Sequence, residues 1–590
     1  MCGLGGEVAW SRAPDLAALE RIAEALKPRG PDGGGAWRES GVALVHRRLK
    51  IIDLSPRGDQ PMLDPDLGLA IVFNGCIYNH RELRDELVAA GYAFRSSSDT
   101  EVILKAFHHW GAERFADHLI GMFAFAIVEQ ASGRVVLGRD RLGIKPLYLA
   151  EVDGGIRFAS TLPALLAGGG GIDTDIDPVA LHHYLSFHSV VPAPRTILRG
   201  VRKLPPATLM RIEPDGTCRE RSYWSSTPET VDARTDADWE ELTLTALRTA
   251  VRRRMVADVP VGVLLSGGLD SSLIVALLAD EGQQRLQTFS IGFADAGGKR
   301  GDEFRYSDLV ASEFCSEHQR IEVDSARLLP SIDATIAAMS EPMISHDCVA
   351  FHLLSEEVSR HVKVVQSGQG ADEVFAGYSW YPPLADALGS GSEEYIGEFV
   401  DRSHAEASAM VDSRLRLGAD PSRGLVERSF ATAGASTPVN RALRLDREVM
   451  LIDDPVKRVD NMTMAWGLEA RTPFLDHELV ELAAGCPVEL KLAHGGKGIL
   501  KRISRGLLPD AVIDRPKGYF PVPALSHLEG EVLALVQDAL TSERVERRAV
   551  FDPDYVQMLL ADPNEHLTTL EGNKLWQVAL LELWLEQHLS

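Results

Sequence analysis

At 590 residues the chain is too long for one hydrophobic core, so two or more domains are expected. Its 61 lysines and arginines against 85 aspartates and glutamates leave a formal charge of −24, which excludes a nucleic-acid backbone as the main partner. Six scattered cysteines without a CxxC pair, no basic-then-apolar leader and no apolar run of membrane length point to a cytoplasmic protein that neither spans nor works on a membrane.

The chain opens MCGLGGEVAW. Loss of Met1 would leave Cys2 carrying a thiol and a free α-amino group on one residue. PDLAALERIAEALK at 14–27 reads as a helix, with Pro14 near its start and Leu16, Leu19, Ile22, Ala23 and Leu26 on one face. As far as about residue 200, short apolar runs alternate with turn signals (GVALVHRRLKIIDL, LAIVFNGCIYN, GMFAFAIVE, GRVVLGRDRLGIKPLYLA), which predicts a strand-rich region. GGGG at 168–171 and VVPAPRT at 190–196 punctuate its end. From about 235 onward, longer helical patterns alternate with the β-branched runs VGVLL, LQTFSIGF and VKVVQSG, which predicts a parallel sheet with crossover helices. The RRR at 252–254 reads as a solvated helix face, and 385–440 as a polar, helix-prone insertion.

VGVLLSGGLDSS at 261–272 carries the strongest chemical signal. A strand that feeds a glycine turn opening a helix aims backbone N–H groups and the positive end of the helix dipole at one spot, an anion site. Asp270 would repel phosphate there unless Mg²⁺ sits between them. The loop is not a Walker A sequence; HGGKGILKR at 494–502, the nearest candidate, follows its Gly-Lys with glycine.

SGGLDSS resembles the pyrophosphate loop of ATP pyrophosphatases. MCGLGGEVAW, RGPDG, HRRLKIID, FNGCIYNH, SSSDTEV, GMFAFAI and GRDRLGIKPLY recur in this order in class II glutamine amidotransferases. With SIGF, GADEVFAGY, DNMTMAWGLEARTPFLDH, Gly496-Lys497 and RPKGYFPVP downstream, nearly the whole chain resembles glutamine-dependent asparagine synthetases. That resemblance implies an α/β chain: an N-terminal nucleophile αββα sandwich at 1–205, a linker at 206–234, and a Rossmann-like ATP-pyrophosphatase domain at 235–590. A homodimer is expected from the family only.

By the same resemblance, Cys2 attacks the glutamine side-chain amide, with the terminal amine as base, and releases ammonia. Asn74 and the Gly75 N–H form the oxyanion hole, while Arg48 and Asp99, with Asn74, bind the glutamine backbone. Mg-ATP is expected on Leu265, Ser266, Gly267, Gly268, Asp270, Ser271, Ser272, Ile291, Ser367 and Gly368. Asp270 and Asp372 are expected on the metal, and Lys497 on the charge that develops as a carboxylate acceptor is adenylated.

Two positions depart from the asparagine synthetase pattern. Cys76 stands in NGCIYN where the family has glutamate, and reads as a packed thiol rather than a second nucleophile. Gln369 stands in QSGQGADE where the family has SGEGSDE, so the charge role of that glutamate does not carry over. The segment 341–352 is also unusual; its His346, Cys348 and His352 match no metal spacing and read as packing. These features resemble the N-acetylglutaminylglutamine amidotransferases, whose acceptor is the α-carboxyl of an acetylated dipeptide. Asparagine synthesis from aspartate is the alternative. A β-lactam synthetase-like ligase is disfavoured by the intact Cys2, Arg48, Asn74 and Asp99 set. A glutaminase with a regulatory nucleotide module is disfavoured by Asp270, Asp372 and Lys497, and a non-enzymatic scaffold is the least expected reading.

Overall fold

The computed structural model describes residues 2–226, 234–293, 302–516, 518 and 527–589. Met1, residues 227–233 of the expected linker, and all of RPKGYFPVP after Pro516 except Gly518 lie outside the described residues.

Two antiparallel six-stranded sheets build the N-terminal half. The first runs, edge to edge, Val201–Lys203, Tyr148–Val152, Gly155–Ala159, Gly3–Ala9, Val42–Arg48 and Gly33–Glu39. The second runs Cys218–Ser222, Thr208–Ile212, Arg134–Arg139, Gly121–Glu129, Leu69–Ile77 and Met62–Asp64. Strand alternation sorts the side chains into layers. Leu4, Leu44, Ala70, Val72, Ala124 and Ala126 meet between the sheets. Phe73, Phe123 and Phe125 point the other way, against the helices His80–Ala89 and Asp99–Trp110. Ala43 and Val45 likewise meet the helix Leu16–Ala25 on the far side of the first sheet. The result is the expected αββα sandwich.

The glycines behind Cys2 are explained by this packing. A Cβ on Gly5 would lie 2.7 Å from the Ile22 side chain, and one on Gly6 would lie 2.4 Å from the Phe158 ring. Strand and helix can close only because those positions carry no side chain.

Several expectations are corrected. The first helix is capped by Asp15, whose carboxylate accepts the Ala18 N–H, and it buries Ala18, Leu19 and Ile22 while Leu16 is exposed. The residues 206–222 are not free linker, because Thr208–Ile212 and Cys218–Ser222 pair as a hairpin that extends the second sheet. Of the three arginines at 252–254, only Arg252 is exposed. Arg253 pairs with Asp476 and Glu478, and buried Arg254 pairs with Asp476 at 2.5 Å.

The C-terminal half is built on a parallel sheet in the order Glu317–Val323, Gln287–Phe293, Val261–Leu264, Val364–Gln366 and Glu469–Arg471. The expected insertion is helical, and its Tyr395, Phe399, Val426, Phe430 and Val439 share a core with Phe187, Tyr381 and Leu443 from outside it. Buried ion pairs lock the halves together: Arg29 to Asp460 at 2.9 Å, Lys145 to Asp460 at 3.3 Å, and Lys203 to Asp453 at 2.6 Å and to Glu341 at 2.9 Å. No helix among the described residues is long and apolar enough to cross a membrane.

Candidate active site

Cys2 directly precedes the central strand Gly3–Ala9, and is buried at 7 % exposure. Its backbone N–H donates to Oδ1 of Asn74 at 3.0 Å, so the strand Leu69–Ile77 fixes the start of the chain. The other end of that amide, Nδ2 of Asn74, is buried and has no partner among the described residues. An unpaired buried donor costs free energy, about 1–3 kcal/mol, unless something else accepts from it. Burial pushes the Cys2 thiol up, with the Arg48 charge opposing it only in part, so the sulfur needs a base before it can attack.

Gly75 follows in the same strand. A Cβ there would sit 2.1 Å from the carbonyl oxygen of Met122, so no side chain is tolerated beside the Gly75 N–H. Gly75→Ala must therefore shift this strand. With the Gly75 N–H as the oxyanion donor that the sequence resemblance implies, release of glutamate from glutamine should fall about 100-fold or more. Glutamate release measures it, and an unchanged rate would remove Gly75 from the site.

Arg48 is buried, and donates to the carbonyls of Ser55 (2.9 Å), Ile52 (3.3 Å) and Asp53 and to the carboxylate of Asp59 (2.6 Å). A ligand carboxylate reaching it would meet Asp59 on the same guanidinium nitrogen. Asp99 accepts the Ile77 N–H at 3.0 Å, tying the helix it starts to the strand of Asn74 and Gly75. Burial pushes the Asp99 carboxyl up, against the pull of His80 and of the Ile77 N–H. Cys76 packs among Tyr78, Met122 and Leu142, and burial pushes its thiol up as well, which agrees with a packed rather than a reactive sulfur.

The second cluster lies at the C-terminal end of the parallel sheet. The strand Val261–Leu264 passes through Leu265–Gly268 into the helix Leu269–Asp280. Gly267 takes φ +73°, and a Cβ there would lie 2.6 Å from the Ser307 nitrogen, so both conformation and space demand glycine. Leu265 N–H donates to the Phe289 carbonyl at 2.8 Å, which sets the loop beside the strand carrying Ile291. The hydroxyls of Ser266 and Ser271 lie 3.1 Å apart, while the buried Ser272 hydroxyl has no partner among the described residues.

Lys497 closes this site from far along the chain. Its ammonium lies 2.6 Å from Oδ2 of Asp270 and 2.9 Å from Oδ1 of Asp372. Burial opposes the charge, but the two carboxylates hold the amine well above the ordinary lysine range. Its φ of +54° is a left-handed backbone that a side chain seldom adopts. Two carboxylates converging on one cation beside a glycine turn at a helix N-terminus form an oxygen donor set that fits Mg²⁺. The loop of Ser367 and Gly368 is anchored by the Ser367 N–H on the Arg471 carbonyl at 2.8 Å. A Cβ on Gly368 would stand 3.0 Å from Cβ of Asp270, so Gln369, the next residue, belongs to the loop that packs on this site.

Sequence reasoning assigned no role to several groups here. Arg515 donates to the Gly267 carbonyl at 2.9 Å, pairs with Glu303 and stacks on Tyr306. RPKGYFPVP flagged that motif without choosing its arginine. Arg29, inside RGPDG, reaches the Cys2 carbonyl at 3.4 Å as well as Asp460. Glu373 accepts from the Tyr378 hydroxyl at 2.7 Å, and burial beside Asp372 pushes its carboxyl up. Glu469 is buried beside Arg471 (2.6 Å), and the positive charges around it, Arg471 and Lys145 among them, overcome burial and hold it down at about 2. His346, Cys348 and His352 form no metal cluster among the described residues: His352 packs on Trp466, His346 packs near Trp576, and Cys348 is buried.

Comparison with known proteins agrees with this division. The family model described as "Glutamine amidotransferase domain" matches residues 1–224, and the one described as "Asparagine synthase" matches residues 243–586. The chain is 31% identical to "Asparagine synthetase [glutamine-hydrolyzing] 1" of Bacillus subtilis over 601 residues, covering 96% of this chain and 93% of that one. It is 32% identical over 646 residues to the "Putative asparagine synthetase [glutamine-hydrolyzing]" of Mycobacterium bovis, covering 99% and 97%. It is also 26% identical over 608 residues to "Amidase chyE" of Penicillium rubens, covering 90% and 89%.

Proposed function

The chain belongs to the glutamine-hydrolysing asparagine synthetase family, an amidotransferase half followed by a synthase half, and on that premise we propose that it is an AMP-forming amide ligase whose acceptor is N-acetylglutaminylglutamine. The amidotransferase half ends near residue 224.

In the first half, the Cys2 thiol gives its proton to the terminal amine exposed when Met1 is removed. Its sulfur attacks the amide carbon of glutamine, giving a thioester as ammonia leaves, and water then releases glutamate. The oxyanion that forms on the way accepts from Nδ2 of Asn74 and the Gly75 N–H. The unpartnered, buried Asn74 amide supports this role, because it is a donor already held in place by the Cys2 N–H. Arg48 and Asp99 bind the glutamine carboxylate and ammonium.

In the second half, the acceptor carboxylate attacks the α-phosphorus of ATP and pyrophosphate leaves; ammonia then attacks the acyl carbon and AMP leaves. Asp270 and Asp372 would hold Mg²⁺, which neutralises phosphate charge when bound. Leu265, Ser266, Gly267, Gly268, Asp270, Ser271, Ser272, Ile291, Ser367 and Gly368 cradle the nucleotide, and Lys497 meets the charge that develops on its phosphates. The work is proposed to be cytoplasmic and to need neither nucleic acid nor membrane, with a homodimer as its form.

Gln369 carries the acceptor reading. It belongs to the loop that packs on Asp270, and it has no charge to offer an aspartate. The guanidinium held against the segment 341–352 supports the same reading. Arg458 is already matched by Asp347 and Asp454, each at 3.5 Å, and donates to Ser345, so its charge is not reserved for a second acceptor carboxylate. The relatives' names favour aspartate instead. Amide-¹⁵N glutamine with Mg-ATP, offered aspartate and N-acetylglutaminylglutamine separately, decides between them. Label is expected in the dipeptide amide, with AMP formed one for one. Label in asparagine alone overturns the acceptor.

A further inference from the structure

Three side chains of metal-ligand type converge where the two halves meet. His182 lies on the helix Pro178–Ser186, at the end of the N-terminal half, while His404 and Asp420 belong to the helical insertion. Nε2 of His182 is 2.9 Å from Nδ1 of His404 and 3.8 Å from Oδ1 of Asp420, and one ligand atom from each of the three residues lies within 4.8 Å of the other two. Three atoms no more than 4.8 Å apart share a point at most about 2.8 Å from each, against roughly 2.0–2.2 Å for zinc–nitrogen and zinc–oxygen bonds, so a closure of less than an ångström completes the geometry. No other group of three or more such side chains converges in this way among the described residues.

The surroundings orient these atoms as metal ligands are oriented. The far nitrogen of His182, Nδ1, is 2.9 Å from the Ser422 hydroxyl and 3.3 Å from that of Ser186. A proton held there leaves the Nε2 lone pair facing the cluster. Oδ1 of Asp420 accepts the N–H groups of Ser422 (3.0 Å) and Arg423 (2.9 Å), which fixes its carboxylate. His183 also meets the Ser422 hydroxyl, at 2.9 Å. His182 is buried while His404 and Asp420 are half-buried, so water can reach a fourth position.

We propose that His182, His404 and Asp420 bind one Zn²⁺ ion, with water as fourth ligand, and that the ion clasps the end of the N-terminal half to the helical insertion. Two imidazoles and one carboxylate suit zinc and not the Mg²⁺ that accompanies ATP, which takes oxygen ligands. The three ligands lie on or at the start of helices that carry none of the residues assigned to glutamine or ATP, which gives the site a structural rather than a catalytic role.

The test uses the full-length, untagged chain, purified without metal-affinity resin, with Zn²⁺ alone as the probe. Elemental analysis after dialysis should find about one zinc per chain, and chelation should lower the melting temperature, with zinc restoring it. His404→Ala should lose both the bound zinc and the response to it. Asp420→Asn keeps a side chain able to cap the helix, so it tests the ligand without removing the cap. Its zinc affinity should fall at least about tenfold. If His404→Ala does not fold, Asp420→Asn decides the matter. A wild-type chain that retains no zinc and melts identically with and without it overturns the proposal. So does zinc binding of equal strength in the wild type and Asp420→Asn.

Discussion

Cys2→Ala will abolish amide synthesis from glutamine, by at least about a thousandfold, while synthesis from ammonium salts at alkaline pH continues at the wild-type rate. The Cys2 thiol sits beside Asn74, whose amide holds the Cys2 N–H at 3.0 Å. Cys76, the next cysteine in sequence, is packed in apolar surroundings with its thiol pushed up by burial. The substitution is also gentle to the fold, since Cys2 contributes only a 4.0 Å contact from sulfur to the Leu49 carbonyl, and its backbone N–H to Asn74 is kept. Parallel assays of glutamate, AMP and product with each nitrogen source read the outcome. Loss with both sources would mean that Cys2 supports the synthetase half directly and that the two-site division is wrong.

Lys497→Ala will have the complementary effect. ATP cleavage to AMP and pyrophosphate should fall about 100- to 1000-fold with either nitrogen source, while basal glutamate release persists. Two effects add. The transition state loses a cation, and Asp270 and Asp372, which Lys497 bridges at 2.6 and 2.9 Å, are left facing each other across a largely buried site. Pyrophosphate release with glutamine and with ammonium separates the halves. A defect confined to the glutamine-driven reaction would place Lys497 outside adenylation.

What the sequence made legible was local. Cys2 with its glycines, Asn74-Gly75, and the strand–turn–helix at 261–272 each lie within a dozen residues, and there pattern and chemistry are read together. The departures were less legible where polarity hid structure. CRERS at 218–222 is exposed along its whole length and is a strand only because Thr208–Ile212 offers it a partner. Leu16 fits the apolar period of its helix yet faces water, because the turn starts at Asp15 and the packed face begins at Ala18. The contacts across the two halves were not legible at all. Arg29 and Asp460 are 431 residues apart and Lys145 and Asp460 are 315 apart, and no periodicity reports such pairs.

Those buried pairs bear on how far the two activities are modular. Arg29, Lys145 and Lys203 all belong to the amidotransferase half, and Asp460, Asp453 and Glu341, their partners, all belong to the other. Breaking one buried pair by removal of a partner costs about 3–5 kcal/mol, and cutting the chain between the halves would strand all three cations at once. Each half is therefore the other's solvent at this surface. Neither is a cassette that can be lifted out, and a graft onto a different synthetase must bring its own matching acids.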